Sequence, residues 1–514
     1  MSKKISTTLF FLMVIIVGVF FRFTNLDAKV YWRDESLTSL RISGYTGKEM
    51  IEQVFTGQEI TAQDLGKYQQ INPEIGFNET LQNLAIGNPH HPPLYYSMAR
   101  FWVQAFGESV PIIRSLSALI SLLAFPGIYW LCRELFEVPI VGWVGMALIA
   151  VSPFHVLYAQ EAREYSLWTV GILFASAALL RSLKQNSKTN WTIYILSLVI
   201  SFYTFLFSAF VAFGHGIYAL IIERCRFTPK LRAYLLSSII SFIAFIPWII
   251  VVVTQINKVE TATEWATQRM DIVSLVKIWL LNLVHIFFDL EFSLTNPLTY
   301  LSLPILILIT YSLYYLYRHT TTKVWLFTFT LIGVTALVLI VPDLIMGGRR
   351  STVGRYLIPC YLGIEIAVAY LLASKISHLS GQEQQYWKII TVSLLSLGVL
   401  SCVVISQAET WWNKYEDSHN PPIAQLVNRA TNPHLLVLSV SVGQVLSLQH
   451  LLEPQVRLRL YSASNPSEIP ADLENAYLLA PSQSLISRIE ARQNYRIKSV
   501  YKSGKLWQVQ QVSN

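Results

Sequence analysis

The sequence predicts an all-α polytopic membrane protein, with about 11 transmembrane helices, closed by a small C-terminal α/β domain outside the membrane. Three observations carry that expectation. Of 514 residues, 53% are hydrophobic and only 14% charged, whereas a soluble domain is about 25% charged. Apolar runs of membrane-crossing length recur from residue 8 to residue 405, and beyond Gln407 the composition turns polar. The four cysteines, Cys132, Cys225, Cys360 and Cys402, fall in or beside apolar segments without paired or metal-type spacing, which supports neither a disulfide framework nor a zinc site. The formal charge of +8 is met by the rule that basic residues stay on the inner side of a membrane, so no nucleic-acid partner is expected.

Taken in order, Lys3 and Lys4 precede an apolar run at 8–19 with no small-residue cleavage site after it, read as a retained first span with its N-terminus inside. Further spans are expected near 112–131, 140–157, 166–182, 191–205, 206–222, 233–254, 297–317, 323–341, 355–374 and 388–405. Basic residues then mark every second connection: Arg133; Arg181, Lys184 and Lys188; Arg224, Arg226, Lys230 and Arg232; Arg318 and Lys323; Lys375 and Lys388. A consistent positive-inside topology requires that alternation, and it leaves the C-terminus outside, in a plasma or inner membrane. The segment 94–106 is too short to span, and 273–290 reads as interfacial or re-entrant, because counting it would invert all later clusters; if both cross, the total becomes thirteen.

The domain reading is therefore a membrane domain at 1–405, with a long first outer loop at 25–92, a linker at 406–429 and a small soluble domain at 430–514. The outer loop carries nine acidic and five basic side chains, an acidic lean suited to the outer face. In the tail, HLLVLSVSV, VRLRLYSA, AYLLAP and VYKSGKLWQVQQV read as strands, and the SVSVGQ turn at 439–444 is its one candidate ligand loop.

Chemistry-bearing residues gather on the outer connections. Asp34 and Glu35 stand side by side beyond the first span, ahead of a helical pattern, where an acidic pair serves equally as a helix start. On a helix they point about 100° apart, which favours one base over a shared dyad. Arg349, Arg350 and Arg355 in MGGRRSTVGRYLIP, and Arg163 in YAQEAREYS, are basic residues on the side that discourages them, and arginine's planar fork suits a phosphate. Headgroup snorkelling is the plainer alternative for these arginines, and an internal salt-bridge network is the plainer one for Glu161 and Glu164. His90 and His91 precede Pro92 and Pro93; with no third ligand in register the prolines set a helix entry rather than a metal site. No cofactor is assigned, and a divalent metal stays open.

In order, Asp34-Glu35, His91-Pro92-Pro93-Leu94-Tyr95-Tyr96, the Arg114 helix, Gln160-Glu161-Ala162-Arg163, Tyr203-Thr204 and Arg355-Tyr356-Leu357-Ile358-Pro359 resemble the GT-C membrane glycosyltransferases of glycosyltransferase family 39. That family includes protein O-mannosyltransferases and the aminoarabinose transferases of lipid A. The resemblance implies a polyprenyl-phosphate-linked sugar donor, an extracytoplasmic acceptor (glycan, lipid or protein), inversion, and a lipid-bilayer setting. It places the catalytic carboxylate on Asp34, with Glu35 beside it. Arg163 and Arg355 become the phosphate contacts, with Arg349, Arg350, His91, Tyr356 and Glu161 as further substrate-binding candidates. Glu164 and Gly354 depart from residues common in relatives, and the tail does not resemble the lumenal domain of the protein O-mannosyltransferases. The rival expectation is a transporter or flippase of lipid-linked sugars, which calls for ionisable residues near mid-membrane.

Overall fold

The structure is a computed structural model that describes residues 2–291, 302–430, 434–438, 441–461, 476–491, 495–502 and 504–511. Contacts divide the chain into two units that do not follow sequence order: Met1–Leu26, Asn88–Tyr95 and Arg114–Gln407 form the first, and Asp27–Gly87, Tyr96–Ile113 and Ala408–Asn514 the second.

The first unit is helical. Among the described residues six helices are long and apolar enough to cross a membrane, and seven if the bent pair Pro139–Val151 and Pro153–Ala159 counts as one span. Each of the eleven expected spans overlaps helix over its described residues, 297–301 of one span lying outside them; 140–157 falls on the bent pair, and Ser208–Ile222 is shorter than that criterion. Two helices form the centre: the spans Tyr165–Lys184 and Gly354–His378 are 89% and 94% buried over their apolar windows. Pro229–Thr254 is at the rim, only 22% buried, with an apolar surface suited to lipid. The 273–290 segment yields the helix Ile272–Val284 of 13 residues, about 20 Å long and short of a ~30 Å hydrocarbon core.

The 60° bend between Val151 and Pro153 has a traceable cause. Pro153 has no N–H to give the Ile149 carbonyl, so the helix ladder breaks there. Arg22 closes the gap: its guanidinium donates to Ile149 O at 2.9 Å, Ala150 O at 2.6 Å and Gly18 O at 2.8 Å. Gly18 permits the approach, since a Cβ there would lie 2.3 Å from the Ala150 oxygen. Just past the bend, His155 Nε2 sits 3.0 Å from Glu365 Oε2, a buried pair linking the bent helix to Ile358–His378. The sequence puts charges mostly at helix ends; Arg22, His155 and Glu365 are buried within the bundle instead.

The second unit is built on a six-stranded sheet. Its strands are β1 (Thr56–Thr61), β2 (His434–Leu438), β3 (Arg457–Tyr461), β4 (Ala476–Leu479), β5 (Tyr495–Tyr501) and β6 (Leu506–Gln511), ordered β1-β3-β2-β4-β6-β5. The central β3, β2 and β4 run parallel and the flanking pairings are antiparallel. β1 comes from the long first loop, not from the tail. One apolar core joins Leu435, Leu458, Leu460 and Leu479 of the sheet to Leu446 of the helix Val442–Gln449, to Leu40, Met50 and Tyr68 of the first loop, and to Ile423 and Val427. The stretch after Gln407 is thereby ordered, as helical turns at Trp412–His419 and a helix at Asn420–Asn428. Of the SVSVGQ turn, Ser439 and Val440 lie outside the described residues; Ser441 caps Val442–Gln449.

Candidate active site

The connection Gln160–Glu164 lies between the bent helix and the buried Tyr165–Lys184 helix. Gln160 Nε2 ties it to the end of the first helix, donating to Phe21 O at 2.7 Å and Thr24 O at 2.8 Å. Tyr95, from the His91-to-Tyr96 motif, lies 2.7 Å from Ser117 Oγ, which donates to the Arg163 carbonyl at 3.2 Å. The backbone of Arg163 is therefore fixed from two sides before its side chain is considered.

Arg163 and Arg355, 192 positions apart (355 minus 163), meet at one ring. Their guanidinium carbons lie 5.6 Å and 5.7 Å from the Tyr165 centroid, within cation–π range. Both are buried, at 2% and 6% exposure, so two like charges share a low-dielectric region and call for anionic partners. Glu164 supplies one: its Oε1 is 3.0 Å from Arg163 Nη2 and 3.3 Å from His91 Nδ1. Glu161, 1% exposed, belongs to the same turn, its carbonyl accepting from the Arg163 N–H at 2.7 Å. Arg355 rests on aromatic faces, with Tyr356 5.6 Å away and that ring itself packed 5.0 Å from Phe207.

The other expected arginines are employed elsewhere. Arg350 is 3.1 Å from Asp343, whose second oxygen accepts from Ser351 N and Oγ, both at 2.7 Å. Arg349 lies 5.9 Å from the Trp265 centroid. The structure brings Arg163, Arg355, His91, Glu161 and Tyr356 together with Tyr165, and leaves Arg349 and Arg350 outside that group. Tyr165 escaped the sequence reading because an aromatic in a first helical turn is ordinary; its place one residue after the charged run was the available signal. Among the described residues no group of three or more His, Cys, Asp or Glu side chains is arranged to hold a metal ion.

In the second unit Asp34 and Glu35 occupy the first turn of the helix Arg33–Ser43. Carboxylates favour that position, where backbone N–H groups lack helical partners. Glu35 is fully buried, with Lys414 Nζ at 3.5 Å, and Lys414 itself is 1% exposed and 5.3 Å from the Trp32 centroid. On the other side of Asp34, Arg33 binds Asp417 through its backbone N at 2.8 Å and its Nε at 3.0 Å. Asp34 is half-buried between these two clamps. Burial pushes the Asp417 carboxyl up, the Arg33 hydrogen bond opposes that, and the charge of Asp34 adds to it. Between Lys414 and Asp417, Tyr415 takes φ 49° and ψ −128°, a strained backbone that such paired anchors sustain. Sequence reasoning missed Lys414 and Asp417, since their partners are some 380 residues away.

The sequence matches the family model for dolichyl-phosphate-mannose-protein mannosyltransferase over residues 90–251, which takes in His91, Arg163 and Tyr165 and leaves out Asp34 and Arg355. Two structures of ArnT from Cupriavidus metallidurans, one bound to undecaprenyl phosphate and one in the apo state, are similar over 98% of this chain and 98% of theirs, at 12% identity and a TM-score of 0.55. The oligosaccharyltransferase of Archaeoglobus fulgidus in its apo form is similar over 88% of this chain and 65% of its own, at 11% identity and a TM-score of 0.50. No curated protein matches by sequence. Family model and fold agree in supporting a GT-C superfamily membrane glycosyltransferase.

Proposed function

We propose that the protein transfers a monosaccharide from a polyprenyl-phosphate donor to an extracytoplasmic acceptor, a glycan, lipid or protein, with inversion at the anomeric carbon. The observation that carries this reading is the meeting of Arg163 and Arg355 on Tyr165. The likeness to an ArnT that binds undecaprenyl phosphate adds to it. Asp34 takes the proton from the acceptor hydroxyl, and the resulting oxygen attacks the anomeric carbon from the face opposite the phosphate. The bond from that carbon to the phosphate oxygen breaks, and polyprenyl phosphate leaves with its added negative charge. Arg355, and Arg163 held by Glu164, answer that charge as it develops. The base is Asp34 rather than Glu35, because Glu35 is buried against Lys414. Inversion follows from a single displacement by one base, and no step here runs through a metal ion.

A transporter of lipid-linked sugars is the second reading, and the buried His155–Glu365 pair is the feature that favours it. Donor consumption separates the two. Purified protein incubated with polyprenyl-phosphate sugars and a cell-envelope extract as the source of acceptor should release free polyprenyl phosphate, read by mass spectrometry. Asp34→Asn should lower that rate by about 10²-fold or more, with protein insertion unchanged; full turnover in the variant would remove Asp34 from the chemistry.

A further inference from the structure

The end of the first unit that carries the basic connections encloses a cavity of about 770 Å³. One side of it is apolar, with Phe136, Val141, Leu180, Leu183, Tyr218 and Val324, and the rest is polar. Its mouth draws on all five connections with basic clusters, through Glu137, Lys184, Lys230, Lys323 and His378. Lys184 stands at the far end of the 20-residue helix that begins at Tyr165, roughly 28 Å away at 1.5 Å per residue. The cavity is therefore distinct from the arginines gathered on Tyr165.

The charges at the mouth do not cancel. Glu134 and Glu137 are answered within the protein, by Arg181 at 3.5 Å and by Lys184 at 3.5 and 3.0 Å. Glu223 accepts from Thr228 and keeps its charge, which offsets one of the two remaining lysines and leaves the mouth one positive charge in excess. Lys230 and Lys323 form no ion pair among the described residues. Each stands in the first turn of a long helix, Pro229–Thr254 and Thr322–Ile345, and neither first turn holds an acidic residue. Their ammonium groups thus add to the partial positive charge of the helix ends. A chamber with one apolar side and a positive excess at its mouth, set in a bilayer, matches an amphiphile whose headgroup is a phosphate and whose body is an acyl chain.

We infer that this cavity binds an anionic glycerophospholipid of the phosphatidylglycerol class, its phosphate held by Lys230 and Lys323 and an acyl chain lying along Phe136, Leu180 and Val324. In the topology expected from the sequence, the lipid comes from the inner leaflet. The site ties the five basic connections to the lipid that surrounds them.

The test reads bound lipid, so it is independent of sugar transfer. The full chain, reconstituted in nanodiscs of equal phosphatidylcholine and phosphatidylglycerol, is transferred to detergent and its retained lipids are measured by native mass spectrometry. Phosphatidylglycerol should be retained about tenfold over phosphatidylcholine. The double variant Lys230→Glu, Lys323→Glu should lose that preference while melting as the wild type does in phosphatidylcholine alone. Val324→Trp, which fills the chamber and keeps both lysines, should lose retention of both lipids. Equal retention of the two lipids by wild type, or an undiminished preference in the double variant, overturns the proposal. So does displacement of the lipid by millimolar inorganic phosphate, the mark of a free-anion site, or stronger retention of undecaprenyl phosphate, which would make the chamber a donor-lipid site.

Discussion

Asp34 and Glu35 are chemically alike and adjacent, and only their surroundings separate them. Glu35 is buried against Lys414, and Asp34 is half-buried between that pair and the Arg33–Asp417 pair. The sequence makes the acidic pair visible and even argues for one base, but it hides the clamps, because Lys414 and Asp417 sit in a stretch whose composition is that of a linker. The arginines were legible for the opposite reason: a basic residue on the outer side of a membrane protein is out of place wherever its partners are. Lys414→Met removes the buried cation partner of Glu35 and should cost about 3–5 kcal/mol, read as a lowered denaturation midpoint. Adding Glu35→Gln should restore part of that loss, because the two changes remove one interaction; additive losses would mean that the residues are not coupled.

At the scale of elements, strands in the tail were readable from alternation, whereas β1 was not. Its sequence, TGQEIT, carries no apolar period, and it is a strand because β3 pairs with it, an influence no local pattern records. Glu59 at the centre of β1 shows what holds the edge: its carboxylate is 3.0 Å from Arg459, 3.5 Å from His434 and 3.6 Å from Arg457. The Arg459 hydrogen bond, helped by the charges of His434 and Arg457, holds its pKa below the ordinary value of 4.5. A carboxyl depressed on folding stabilises the fold above its unfolded pKa, and the contribution fades as pH falls through the folded value. Glu59→Gln should therefore cost under about 1 kcal/mol at neutral pH, given the exposure of the group. The gap between the two proteins should narrow below pH 4.5, as denaturation at stepped pH would record; a constant gap would assign it to packing instead. The bend at Pro153 is a different case, since a Ser-Pro step inside an apolar run was there to be read. Its closure by Arg22 was not, because that arginine looks like the end of the first span.

Across the whole molecule, alternating basic clusters gave the one strong long-range constraint in the sequence, and the structure gathers residues from all five connections around one cavity mouth. Span lengths were less legible: Ser208–Ile222 is a helix of 15 residues, shorter than the apolar run that announces it. Cys225 offers a direct reading of orientation, being the exposed cysteine in the basic connection before Pro229, while Cys132, Cys360 and Cys402 are buried. A membrane-impermeant maleimide should label it only after cells are opened; labelling of intact cells would invert the topology.

The most direct measurement of the central claim is the binding of undecaprenyl phosphate to the purified protein, compared with Arg355→Gln. The meeting of Arg163 and Arg355 on Tyr165 predicts saturable binding by the wild type and a loss of about tenfold or more in the variant, the effect of removing one charge-assisted contact to a phosphate. Equal affinity in the two proteins, with both folded, would contradict it.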